Sequence, residues 1–133
     1  PCETLRSGIT SLPGRKLIFT NADEPYGQRI LAARGLDNVF EGMFDIHCMD
    51  HKPKPDPQSY DRLCAEFDID PRTALFIEDS AHNLYPAKAM GMTTVWLDHQ
   101  EHRETDCDQP EFVYYMTTDL AQWLVDLKEP QQA

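Results

Sequence analysis

Short apolar runs alternate with amphipathic stretches along almost the whole chain, and that alternation limits its possible folds more than any other feature. The runs are "KLIFT" (16–20), "MFDIHC" (43–48), "ALFI" (74–77), "TTVWL" (93–97) and "FVYYM" (112–116). Rich in β-branched and aromatic residues, they predict strands. Residues 26–34, 58–67, 84–90 and 119–127 lie between and after them and read as helices. Strands that alternate with helices predict an α/β fold, a parallel sheet flanked by helices. Gly35 and Gly91 fall where helices should stop, because glycine readily takes the left-handed conformation of a C-cap. Asn83 is the expected N-cap of the 84–90 helix, which places Pro86 in the first turn, where its missing N–H costs nothing.

A chain of 133 residues, 41% of them hydrophobic, suits one domain with a buried core. Against 12 Lys and Arg stand 23 Asp and Glu, a formal net charge of −11. Such a surface repels polyphosphate backbones, which argues against nucleic-acid binding. No apolar run has the length of a membrane span, and the N-terminus lacks the regions of a signal peptide, so a cytoplasmic protein is expected. Cys2, Cys48, Cys64 and Cys107 have no metal-site or disulfide-framework spacing and are expected as free thiols. Residues 99–110 read as an exposed connection and 128–133 as a frayed tail.

In open parallel sheets, ligands bind beyond the carboxyl ends of the strands. After the first strand come Thr20 and Asn21, after the second "DHKPKPDP" with Lys52 and Lys54, and after "ALFI" come Glu78, Asp79, Ser80 and Asn83. A hydroxyl, an ammonium and a carboxylate pair suit a phosphate together with a hard divalent cation. Thr20 and turn N–H groups supply donors to a phosphoryl oxygen. Prolines stiffen the loop that aims Lys54. Magnesium takes a few carboxylates alongside water and phosphate oxygens, which fits Glu78 and Asp79. Each group alone has a plainer reading: a solvated acidic loop, a strand-end threonine, a stiff linker. Asp23, Asp56 and Asp98 read as turn residues, and the spacing of His47 and His51 about Cys48 as chance. Order and shared position favour phosphoryl transfer.

That order resembles the haloacid dehalogenase superfamily over nearly the whole chain. "LIFTNAD" is similar to its threonine motif, "KPDPQSY" to its lysine motif and "FIEDSAHNLYPAKAMGM" to its acidic motif. The wording of "FTNA" and "NLYPAK" looks most like the pyrimidine 5'-nucleotidase-like branch. The resemblance implies a Rossmann-like core and a magnesium-dependent phosphohydrolase, a phosphatase or nucleotidase. Its substrate would be small and phosphorylated, such as a nucleoside monophosphate. In such enzymes an aspartate attacks phosphorus to form an aspartyl-phosphate, which water then hydrolyses. Thr20 and Asn21 would then hold phosphate, Lys54 would stabilise nucleophile and phosphate, Asp79 with Glu78 would bind magnesium, and Asn83 and Ser80 would support the metal loop.

The family's first motif, a strand ending in D-x-D, should precede the threonine motif, but residues 1–19 contain no aspartate. The D-x-D in "FDIDPRT" (67–73) follows a helical stretch and reads as the loop into "ALFI". The nucleophile, its central strand and the cap domain are therefore expected outside this chain, a partial core spanning residues 1–133 that is inactive alone. The missing strand would come from the rest of a longer polypeptide or from another chain. A phosphate- or metal-binding module, or an interaction module, without catalysis is the alternative. Halide removal is a third possibility, disfavoured by the acid pair because dehalogenation needs no magnesium.

Overall fold

The computed structural model describes residues 3–98 and 111–128. Its elements in chain order are α1 (Glu3–Ser11), β1 (Leu17–Phe19), α2 (Glu24–Ala33), β2 (Gly42–Phe44), α3 (Pro57–Phe67), β3 (Leu75–Glu78), α4 (Leu84–Met90), β4 (Thr93–Leu97), β5 (Tyr115–Thr117) and α5 (Leu120–Lys128). Short 3-10 turns stand at Ile46–Cys48, Pro71–Thr73 and Ala81–Asn83. The expected connection at 99–110 and residues 129–133 of the expected tail lie outside the described residues, as do Cys2 and Cys107. Lys128 belongs to the last helix rather than to a tail. Cys48 and Cys64 are free thiols. No helix among the described residues is long and apolar enough to cross a membrane.

The expected α/β architecture is present, divided between two compact units. The first comprises the described residues up to His51 and those from Asp119 onward; the second runs from Lys52 through Thr118. In the first, β1 and β2 pair in parallel with Leu17 opposite Gly42 and Phe19 opposite Phe44. In the second, three parallel strands lie in the order β3-β4-β5. Glu78 stands opposite Trp96, and Val95 opposite Tyr115. The strands carrying Thr20 and the acid pair, β1 and β3, are thus each an edge of their own sheet.

Helix α1 was not expected, because "ETLRSGITS" is more than half Thr, Ser and Gly, which form helices weakly. Tertiary packing within the first unit supplies what propensity lacks. Gly8 is buried, and a β-carbon there would stand 3.0 Å from Leu124 Cβ, so glycine lets α1 approach α5 closely.

Strand β2 ends at Phe44, four residues before the expected limit, because Asp45 turns the chain. Its buried carboxylate accepts from the Glu24 N–H at 2.8 Å, the His47 N–H at 3.1 Å and the Cys48 thiol at 3.3 Å. Burial pushes its pKa up, but these donors and the His47 charge outweigh burial and hold it below the ordinary carboxylate value. A lowered folded-state pKa stabilises the fold above the ordinary carboxylate range, and that stabilisation disappears as the pH falls. The stability gap between the parent chain and Asp45→Asn should therefore stay level down to about pH 4 and narrow below it, as read by urea unfolding across pH.

In the second unit β4 matches its expected limits, and its centre is fully buried at Thr94 and Val95. The Thr94 hydroxyl donates to the Phe112 carbonyl at 2.7 Å and accepts from the Tyr114 N–H at 3.0 Å. The Tyr114 N–H also donates to the Thr94 carbonyl at 3.1 Å, and β5 starts at Tyr115, later than the sequence indicated. Gly91 caps α4 in the left-handed region, as expected, with φ 102°. Gly35 takes the same region, φ 71°, just beyond the Arg34 cap of α2. Asp23 and Asp56 are N-caps of α2 and α3. Asp98, expected as a plain turn residue, is buried instead, with its N–H donating to the Thr117 carbonyl. "FDIDPRT" is a loop: Asp68 caps α3 in the left-handed region, and Asp70 caps the turn leading into β3.

Candidate active site

Strand β3 delivers Glu78 as its last residue, and Asp79 follows as the chain leaves the sheet. Lys54 reaches Glu78 from the proline-rich loop before α3, where Asp56 caps the helix by accepting from the Gln58 N–H and the Lys54–Pro55 peptide is cis. Lys54 Nζ lies 2.7 Å from Glu78 Oε2, the side chains being 5% and 10% exposed. The ammonium also sits 5.8 Å from the centre of the Phe76 ring. Two charges this buried repay their desolvation only while both are present. Burial raises the pKa of Glu78, and the Lys54 ion pair opposes that rise.

The other oxygen of Glu78 lies 3.4 Å from both the Ser80 N–H and Asn83 Nδ2. Asn83 precedes α4 as expected, but its side chain does not cap the helix; Glu78 draws the amide away. Ser80 likewise makes no side-chain capping bond to the turn that follows it. Two buried or half-buried aromatics hold this loop by its backbone. Trp96 Nε1 donates to the Asp79 carbonyl at 3.0 Å, and the fully buried Tyr60 hydroxyl donates to the Asn83 carbonyl. Tyr60 also packs edge-on against Phe76, ring centres 6.0 Å apart. Burial, then the Glu78 charge, pushes the Tyr60 pKa upward, so the phenol keeps its proton and remains a donor. Tyr60→Phe keeps the ring and removes one donor to the Asn83 carbonyl, and urea unfolding should register a loss of about 1 kcal/mol.

Thr20 and Asn21 belong to the first unit and follow β1. The Thr20 N–H donates to the Phe44 carbonyl, and its hydroxyl oxygen accepts from the Ala22 N–H at 3.0 Å. Asn21 is exposed on the turn. Lys52 donates to the Gln58 side chain. Trp96 carried no functional signal in the sequence, since only the strand register brings it to Glu78; Tyr60 stood in the lysine motif without a role. The donor set fits part of a magnesium shell: two consecutive carboxylates, with Asp79 the exposed one. No cluster of three or more His, Cys, Asp or Glu able to hold a metal occurs among the described residues, His47 and His51 included.

The family model for haloacid dehalogenase-like hydrolases matches residues 3–91, which span the threonine, lysine and acidic motifs. The chain belongs to the haloacid dehalogenase-like hydrolase family. Among similar proteins, glyceraldehyde 3-phosphate phosphatase of Pyrococcus furiosus is 31% identical over 67% of this chain and 37% of its own length. Phosphoglycolate phosphatase of Haemophilus influenzae is 35% identical over 62% of this chain and 36% of its own. A dehalogenase crystallised with an intermediate complex superposes with a TM-score of 0.74 at 25% identity, covering 96% of this chain and 54% of that one. The chain thus spans little more than a third of the curated relatives and about half of the dehalogenase.

Proposed function

We propose that this chain provides the lysine, the magnesium-binding acid pair and the phosphate-binding threonine of a magnesium-dependent phosphohydrolase. The observation that carries the reading is the buried Lys54–Glu78 pair directly beside the exposed Asp79 carboxylate. Family membership and phosphatase relatives support it.

In this reading Lys54, its flexible stem immobilised by burial, presents a fixed positive charge to the nucleophile and the phosphoryl group. Glu78 holds Lys54 in place, and Asn83 and Ser80 hold Glu78. Asp79, with Glu78 behind it, would bind magnesium, which neutralises charge on the phosphoryl oxygens when bound. Thr20 and Asn21 donate to a phosphoryl oxygen. The aspartate that attacks phosphorus lies outside these residues: residues 1–19 have none, and "FDID" serves as caps. The edge positions of β1 and β3 suit a strand supplied from elsewhere.

The test is phosphate release from p-nitrophenyl phosphate, phosphoglycolate, glyceraldehyde 3-phosphate and nucleoside monophosphates, with and without magnesium. Residues 1–133 alone should be inert, and the polypeptide extended upstream should turn over only with magnesium. Turnover by residues 1–133 that Asp68→Asn abolishes would overturn the placement of the nucleophile. Chloride release from 2-chloropropionate, independent of magnesium, would instead mean a dehalogenase.

A further inference from the structure

Asp79 stands one residue past the end of β3, just beyond Glu78 and Trp96, the last residue pair of the ladder to β4. A main-chain carbonyl at such a place needs a partner, and here a side chain provides it. Trp96 Nε1 donates to that oxygen at 3.0 Å. Its backbone is fixed twice over, because β4 is the central strand of the sheet and Trp96 pairs with Glu78 on one side and Met116 on the other. The indole is a donor only and cannot reverse the bond. A carboxylate on one methylene has little reach of its own. Where it points is set by the backbone that carries it, and the carbonyl bond fixes that backbone.

We propose that Trp96 is a positioning residue for the metal: by gripping the Asp79 carbonyl it aims the Asp79 carboxylate and raises magnesium affinity without touching the ion. This rests on the reading of Asp79 as a magnesium ligand. A role of this kind should appear in the metal dependence rather than in the chemistry once metal is bound.

The test compares the full polypeptide with its Trp96→Phe, Asp79→Asn and site-specific 3-benzothienylalanine-96 forms, the last keeping the shape of the ring and removing only its N–H. Calorimetric titration with magnesium chloride should show affinity about fivefold weaker for both Trp96 forms, the size expected of one hydrogen bond. The magnesium concentration for half-maximal p-nitrophenyl phosphate hydrolysis should rise by the same factor, with the loss of rate relieved as magnesium is raised. Should Trp96→Phe fail to fold, the benzothienyl form decides. Unchanged affinity in the benzothienyl form, while Asp79→Asn binds magnesium more than tenfold more weakly, overturns the role of Trp96 alone. Unchanged affinity in Asp79→Asn overturns the acid-pair reading itself. A rate loss that magnesium does not relieve, at unaltered affinity, makes Trp96 structural only.

Discussion

Lys54→Met is expected to cost about 3–5 kcal/mol of stability at neutral pH, because it leaves the Glu78 carboxylate buried without its cation. Only 10% of that side chain is exposed, so water cannot replace the ammonium. The penalty should depend on pH in a defined direction. Burial already raises the pKa of Glu78, and removing Lys54 removes the largest of the interactions that oppose the rise. As the pH falls toward that raised value, the variant can bury a neutral carboxyl, so its deficit should be greater at pH 8 than at pH 5. Urea unfolding at both values measures it, and the double variant Lys54→Met/Glu78→Gln should recover much of the loss at pH 8. An equal deficit at both values would show that Glu78 is not the group responsible. In the extended enzyme the same substitution should also lower phosphatase turnover by about 100- to 1,000-fold, the usual effect of removing one fixed stabilising group.

Asp79→Asn should separate the two properties. Its side chain is exposed, and the bond from Trp96 goes to its main chain and survives the change. Stability should stay within about 0.5 kcal/mol of the parent. Turnover of the extended enzyme should fall by about 100-fold or more, with raised magnesium recovering little of it, since the amide has lost the charge a hard cation seeks. Rates measured against magnesium concentration, together with urea unfolding, check both halves. A variant with parental turnover would remove Asp79 from the metal site.

The elements that could be read in the sequence were those whose local chemistry and packing agree. The β-branched run at 93–97 has strand propensity of its own and is a strand buried at its centre in the fold. Helix α4 keeps its expected limits because Pro86 is confined to the first turn and Gly91 takes a conformation that side chains resist. The end of β2 was misread because a single side chain acts across space: the Asp45 carboxylate accepts from the Glu24 N–H and stops the strand. Helix α1 was hidden because it packs at Gly8 against Leu124, at the far end of the described chain. At the site, residue order marked Lys54, Glu78 and Asp79. That the lysine would be neutralised by the first acid, and that Asn83 would serve Glu78 rather than its own helix, depends on burial that no pattern of letters records.

The seam between α1 and α5 also bears on how the molecule comes apart. It joins two segments near opposite ends of the described chain, so closing it carries the loop entropy of almost everything between them. The unit from Lys52 through Thr118 is continuous, and its contacts are short-range by comparison. Native-state hydrogen exchange should therefore resolve two openings, the seam with β1 and β2 exchanging at lower free energy than β3 and β4. The Lys54–Glu78 pair lies wholly within the continuous unit, so this pair and the loop it supports would outlast the first stage of unfolding.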